Sequence, residues 1–415
     1  METKDLFTAA LNLTPPWSVS NVELLPTSTG SLELHLTIDF EKGAKFACPA
    51  QGCSYTATAY DSSERTWRHM NFFQYKTFIH ARLPRVRCEN HGVKTVEVPW
   101  ARPGSGFTLL FEGFCVELAK NLPISVIANM VDEHDTRLWR FVKYYVGQAL
   151  KDNDFSEVTS LGIDETSRKG HEYITVAVDL KEKRVIYVTE GKDAKTVDSF
   201  ANDFANHKGI KENIDIITCD MSLGFKKGIC KNFKNAEAVI DKFHVIKHIN
   251  EAVDKTRRDE SKVHSELKGT KYVWLKNINN LTELQWVRQN DLLKRHLKTG
   301  RALMMREELQ DIYETAVSRN EAEKRLDVLL SWMMHSRLLH MKSFANLVRD
   351  HYSEITNYFD NRYTNAILEG MNSIIQNIKR RARGFKNMEY FKTMIYLACG
   401  KLSFEKYLPT GLVGA

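Results

Sequence analysis

VTSLGIDE at residues 158–165, HEYITVAVDL at 171–180 and KRVIYVTE at 183–190 are three apolar, β-branched runs joined by short polar connections. That pattern predicts three strands paired as hairpins. The period then changes. AKTVDSFANDFANHK (194–208) has the spacing of an amphipathic helix, NIDIITCD (213–220) of a buried strand, MSLGFKKGICKNF (221–233) of a helix and AEAVID (236–241) of a further strand. Three hairpin strands followed by alternating helix and strand describe an α/β unit, a mixed sheet with helices on its faces.

From about Phe243 to Asn357 every pattern is helical, and a stretch of that length is too long for a loop. It reads as an all-helical insertion. A helix from Ala366 to about Arg380 and a closing helix from Asn387 to Leu402 follow. Upstream, Pro103-Gly104-Ser105-Gly106 marks a linker. Helices then run from about Thr108 to Lys120, from near Pro123, and from Thr136 to Leu150. The last two are separated by the polar turn Asp132-Glu133-His134-Asp135, which is a helix-turn-helix outline. Residues 1–100 read as short strands and turns, with SLELHLTIDF (31–40) and TFIHARLPRVRC (77–88) as the clearest strands. The expected division is therefore 1–103, a strand-and-turn module; 104–152, a helix-turn-helix; 153–245, the first part of the α/β core; 246–357, the helical insertion; and 358–415, the second part of the core with its C-terminal helix.

The 415 residues carry 59 Lys and Arg against 52 Asp and Glu, a formal net charge of +7. This mild excess permits a polyanionic partner without requiring one. Hydrophobic residues make up 43% and charged residues 27%, which excludes a disordered chain. The opening METKDLFTAALNLTPPW lacks a basic segment followed by an apolar run, and no stretch suits a bilayer span. The expectation is a cytoplasmic protein with reduced cysteines and no membrane partner, and with LPTGLVGA (408–415) as a frayed end.

Cys48 and Cys53 are spaced C-x4-C, and Cys88 and His91 C-x2-H. Two close pairs of such ligands at turns suit one tetrahedral, structural Zn2+ in a treble-clef or ribbon-like fold. His69 and His80 are substitute ligands. Cys115, Cys219 and Cys230 stand alone in apolar settings and read as core. The module is also basic at Lys45, Arg65, Arg68, Lys76, Arg82, Arg85, Arg87 and Lys94. Such charge either rests on DNA or is a solvated face.

Three carboxylates stand where phosphoryl transfer would use them. Asp164 ends the first core strand and Asp220 a later buried one. In open sheets ligands gather at the carboxyl ends of strands. Glu369 lies on the helix after the insertion. Two Mg2+ ions held by such oxygen ligands clamp the attacking and leaving oxygens of an in-line displacement. Taken singly, an Asp at a strand end more often caps the next helix and a helical Glu is more often merely solvated.

LGIDET, TCDMSLGF, DKFHVIKHIN (241–250) and TNAILEGMNSIIQNIKRRARGFKNMEYF (364–391), with its N-A-x-x-E-G-x-N core, together resemble the bacterial insertion-sequence transposases of the ISL-three family over essentially the whole chain. The resemblance implies an RNase H-like fold interrupted by the helical insertion, with a DDE triad at Asp164, Asp220 and Glu369. It implies Mg2+ or Mn2+ at that triad and transposon-end DNA as substrate. It also maps a D-x-F-H-V motif onto Asp241, Phe243 and His244. Of these, Asp241 and His244 are auxiliary active-site candidates, and His244 either touches phosphate or caps its helix.

The recognition helix of the helix-turn-helix offers Arg137, Arg140 and Lys143 to a groove, where Arg contacts guanine bidentately. Lys379, Arg380, Arg381 and Arg383 follow Glu369 and suit DNA phosphates, or equally the negative end of a helix. Trp332 in the insertion is a stacking candidate, with a packed core position the stronger reading. The function expected is a DDE transposase that binds double-stranded transposon-end inverted repeats and target DNA as a homodimer on paired ends. Two alternatives are a DNA-binding regulator with an inactive core and a nuclease that cleaves without strand joining.

Overall fold

The computed structural model describes residues 2–28, 30–169, 172–362 and 366–409. His171, Thr364, Asn365 and 410–415, which belong to the strand, motif and tail readings above, lie outside them. Two compact units emerge. The first comprises Met1–Asp152, Arg381–Ala398 and Leu402–Ala415, and the second Asn153–Arg380 and Cys399–Lys401.

In the first unit a five-stranded sheet is built from Trp17–Pro26, Leu32–Phe40, Tyr75–Cys88, Asp61–Phe72 and Gly92–Thr95. The alternation in LELHLTIDF turns Leu34, Leu36 and Ile38 inward, onto a core with Trp17, Trp67, Trp100 and Cys48. An N-terminal helix, Thr3–Ala10, was not evident in the sequence; only Phe7 of it is buried, so its apolar stripe is too narrow to announce it. Three helices follow, Leu109–Ala119, Ile124–Val131 and Asp135–Lys151. The Thr108 side chain caps the first by accepting from the Phe111 amide. Asp132, in the left-handed region at φ 52°, ends the second. The last helix, Met388–Cys399, belongs to this same unit, where Tyr390 stacks flat on Trp139 at 4.0 Å. The segment 358–415 is accordingly divided between the two units at Arg381.

The second unit is a mixed sheet. Strands Ser160–Lys169, Glu172–Asp179 and Arg184–Glu190 form an antiparallel meander, and Ile216–Cys219 and Glu237–Ile240 continue it in parallel beyond the first. In order of appearance the strands lie 3-2-1-4-5. Helices Ala194–Asn206 and Leu223–Asn232 bury Val197, Phe200, Phe204, Phe225 and Ile229 against one face. The long helix Lys242–Glu260 opens the insertion, whose core gathers around Trp274, Leu303, Leu309 and Phe344. Among the described residues no helix is long and apolar enough to cross a membrane.

Candidate active site and metal centre

Strand register builds the acidic site. Ile163 on the first strand pairs with Cys219, and Cys219 pairs with Ile240 on the last strand. The next residue after each is an aspartate: Asp164, Asp220 and Asp241. Asp164 does not end its strand as expected, because antiparallel pairing with the second strand carries it on to Lys169. Neighbouring strands lie about 4.8 Å apart, so the three stand in one row at the carboxyl edge of the parallel strands. All three are buried or nearly so.

The helix Ala366–Arg381 carries Glu369 and lies along the strand of Asp164, which it meets through residues beyond Glu369. Asn372 Nδ2, one turn beyond Glu369, donates to Asp164 Oδ2 at 2.6 Å. Gln376 Nε2 donates to Thr166 Oγ1 at 2.7 Å, and Lys379 Nζ to the Ser167 carbonyl at 2.8 Å. Residues 369, 372, 376 and 379 recur at helical spacing, so one face of the helix follows the Asp164 strand. Gly162 explains how closely. A Cβ there would lie 2.8 Å from Leu368 Cδ1, so only a hydrogen fits beneath the helix. Glu369 itself is exposed. Asn372 and Gln376 were missed by sequence reasoning, although Asn372 is the asparagine of E-G-x-N and its i+3 spacing was the available signal.

The electrostatics of the row call for a cation. Burial, and then the charge of Asp164, push the Asp220 carboxyl up to about 6. Burial also raises Asp164, against hydrogen bonds from the Glu165 amide and Asn372 that lower it. A further acid, Glu165, raises both and is met by Lys192 Nζ at 3.7 Å. The oxygens are hard ligands, which fits Mg2+ or Mn2+. Asp220 also behaves as a strand-end cap, since its Oδ1 accepts from the Ser222 amide at 3.0 Å. His244 is half-buried one turn into the Asp241 helix, and burial lowers its pKa, which favours neutral imidazole.

The zinc candidates converge. The donor atoms of Cys48, Cys53, Cys88 and His91 lie within 4.8 Å of one another, and among the described residues this is the one such cluster. Cys53 and Cys88 sulfurs are 3.8 Å apart, and His91 Nδ1 is 3.5 Å from Cys88 and 3.8 Å from Cys48. Tetrahedral zinc with bonds of about 2.3 Å to sulfur would set its sulfurs about 3.8 Å apart. Cys88 closes the long strand, and the turn to His91 leads into Gly92 at φ 68°. His69 and His80 are occupied elsewhere, by Thr108 Oγ1 at 2.8 Å and by His35 Nδ1 at 2.8 Å. Cys115 and Cys219 are buried, whereas Cys230 is exposed, because position 230 falls on the outer face of its short helix.

The basic candidates separate. Arg140 and Lys143 are exposed on one face of the third helix. Arg137 instead pairs with Glu133 and lies over the Phe107 ring at 4.4 Å, holding the turn and linker. Lys379 is bound to the Ser167 carbonyl, Arg381 donates to the Asn121 carbonyl, and Arg380 and Arg383 are exposed. In the front end Arg68 is buried among Phe78, Phe111 and the Val131 carbonyl, while Arg82 pairs with Asp39 and Arg85 with Asp61. A charge that sequence would assign to a DNA face is spent within the fold. Trp332 is 39% exposed and is not a packed core residue.

The transposase model of the ISL3 DDE type matches residues 161–395, the helix-turn-helix domain of transposase family ISL3 matches 96–146, and the zinc-finger of the IS204, IS1001, IS1096 and IS1165 transposases matches 44–91. The transposase for insertion sequence element IS1557 of Mycobacterium tuberculosis is 26% identical over 394 residues, covering 86% of each chain. That for IS1001 of Bordetella parapertussis is 24% identical over 368 residues, covering 86% of this chain and 89% of the other. A chain of the Drosophila P element transposase strand transfer complex aligns at a TM-score of 0.38 and 12% identity over 75% of this chain and 94% of that one, a likeness too low to bear an argument. With the transposase model spanning more than half of its length, this chain belongs to the ISL3 family of DDE transposases.

Proposed function

We propose that this transposase cuts at the terminal inverted repeats of its element and joins the freed ends to target DNA, with Asp164, Asp220 and Glu369 as the catalytic acids. The reading rests above all on the register that aligns Ile163, Cys219 and Ile240 and so sets Asp164 beside Asp220. Enzymes of the DDE class act with divalent metal. Mg2+ or Mn2+ between these carboxylates would supply positive charge to the phosphate and lower the pKa of an attacking water. The protein's own contribution is placement. Asn372 fixes one oxygen of Asp164 and the Ser222 amide fixes one of Asp220. Water attacks phosphorus and the P–O3′ bond breaks, freeing a 3′-hydroxyl; that hydroxyl then attacks a target phosphodiester, its oxygen forming a new P–O bond as the target's own 3′-oxygen leaves and takes up the proton. Neutral His244, beside Asp241 at the end of the row, is suited to a hydrogen bond to phosphate. One Zn2+ at Cys48, Cys53, Cys88 and His91 closes the front end. Arg140 and Lys143 are its DNA contacts in the helix-turn-helix, and Arg380 and Arg383 are further phosphate contacts. Pairing of two ends calls for a homodimer.

The test is a labelled duplex carrying the element's own terminal repeat, incubated with protein, Mg2+ and a target plasmid. Wild type is expected to cut at the repeat boundary and to join the end covalently. Asp164→Asn, Asp220→Asn and Glu369→Gln should each lower both steps by at least about 100-fold while repeat binding persists. Strong residual cleavage in any one variant removes that residue from the triad, and cleavage without joining turns the reading into a nuclease.

A further inference from the structure

The helix that begins at Asp241 carries a second feature. Phe243, Lys247, Asn250, Asp254 and Arg258 recur at i, i+4, i+7, i+11 and i+15 and make one stripe along it. The stripe runs about 22 Å from the acidic row into the insertion. It forms one wall of a groove of 410 Å³, whose other wall includes Lys271 and Leu275 of the short helix Lys271–Leu275. The floor is apolar, with Ile246 and Leu275 half-buried beside the Phe243 ring. Phe243 is 55% exposed, unusual for a ring so near buried acids. The rim is cationic, with Lys247, Lys255, Arg258 and Lys271 against Glu251 and Asp254. Asp254 is already neutralised by Arg257, through contacts of 2.7 and 2.9 Å. Phe243 follows Asp241, the last acid of the row, by two residues, so the upper end of the groove opens close to that row.

An aromatic face with a track of cations is the chemistry that binds unpaired nucleic acid, the base stacking on the ring and the phosphates following the charge. A duplex would offer the ring no base face. We propose that this groove receives an unpaired stretch of DNA next to the cut, with one base on Phe243 and the backbone along Lys247, Lys255 and Lys271. The inference rests on the transposase reading for its substrate and adds a subsite to it. The groove holds the strand beside the reacting phosphate, so opening of the duplex near the joint is coupled to its placement at the acids.

The experiment uses the full chain and a short bromouracil-substituted single-stranded oligodeoxynucleotide. Irradiation is expected to crosslink the strand to the peptide containing Phe243. Phe243→Ala should weaken single-strand binding about 5- to 100-fold, and Phe243→Trp should restore it. Lys271→Glu, on the opposite wall, should weaken it as well and flatten its dependence on salt. Crosslinks that map elsewhere, or alanine and glutamate variants that bind the strand as wild type does, overturn the proposal. The terminal-repeat cleavage assay on the same wild-type preparation separates the two ideas. Cleavage with no single-strand site at Phe243 leaves the transposase reading standing and removes the groove. A crosslink at Phe243 without any cleavage keeps the groove as a single-strand site and removes the reading on which its role was built.

Discussion

Asp220 is asked to be both a cap and a charge. Its Oδ1 holds the start of the next helix through the Ser222 amide, while burial and Asp164 work against its ionisation. With a folded pKa of about 6 against 3.8 in the free side chain, the folded chain binds this proton more tightly than the unfolded one between those values. Ionising the site therefore weakens the fold progressively as pH rises through that window, and the penalty is complete above it. A divalent cation removes the penalty only where the carboxylate is ionised. The melting temperature should therefore rise with Mn2+ at pH 7.5, and the gain should fade as pH falls to 5. Asp220→Asn should melt higher than wild type in the absence of metal at pH 7.5 and should lose the Mn2+ response. A gain that is independent of both pH and Asp220 would place the metal elsewhere. At the same scale Arg137 and Arg140 show why residue type alone misleads. Three residues apart on one helix, the first is tied to Glu133 and Phe107 and the second faces solvent.

Between elements, the contact that matters most is the helix of Glu369 on the strand of Asp164. Gly162 allows it, because a methyl group there would meet Leu368 at 2.8 Å and Leu180 at 3.0 Å. Gly162→Ala should cost about 1–3 kcal/mol of stability through overpacking. It should also shift the helix, draw Asn372 away from Asp164 and slow terminal-repeat cleavage. Adding Leu368→Ala gives the helix room, so the double variant should recover part of the cleavage rate even though a buried leucine is lost. Thermal melts and initial cleavage rates of the two single variants and the double one measure this. A Gly162→Ala chain that cuts at the wild-type rate would sink the idea that this spacing sets the site. The strands and helices themselves were largely legible, because period-2 alternation and amphipathic spacing are local properties. The N-terminal helix Thr3–Ala10 and the exposed faces of Trp332 and Cys230 were not, because they depend on which side of a helix finds a neighbour.

At the scale of the whole chain, each unit holds a buried cluster of its own. Trp17, Trp67 and Trp100 cluster with Cys48 and Cys88 in one, and the strand apolars cluster with Phe200, Phe204 and Phe225 in the other. A zinc ion that closes the first should therefore stabilise only that unit. Chelation, or Cys88→Ser, should remove one zinc per chain by elemental analysis and lower one calorimetric transition while leaving another in place. Terminal-repeat binding should fall with it. A front end that stays folded and binding-competent without metal would show that the four donors are not a structural site. The net charge of +7 speaks less directly to DNA than it first suggests. Arg68 is buried in the fold and Arg82 and Arg85 are paired with carboxylates at the surface, whereas Arg140, Lys143, Arg380 and Arg383 are exposed.

The sequence by itself determined the order of the core strands and helices, the two close pairs of zinc-type donors and the apolar strand runs that lead into Asp164 and Asp220, since each of these is written in spacing along the chain. Tertiary structure decided which residues meet across long separations: Asn372 on Asp164, Leu368 beneath Gly162, Asp241 in line with Asp220, and the C-terminal helix stacked on Trp139. Those pairings follow from strand register and close packing. Both are set by the burial of whole faces at once, and no local window of sequence contains that information.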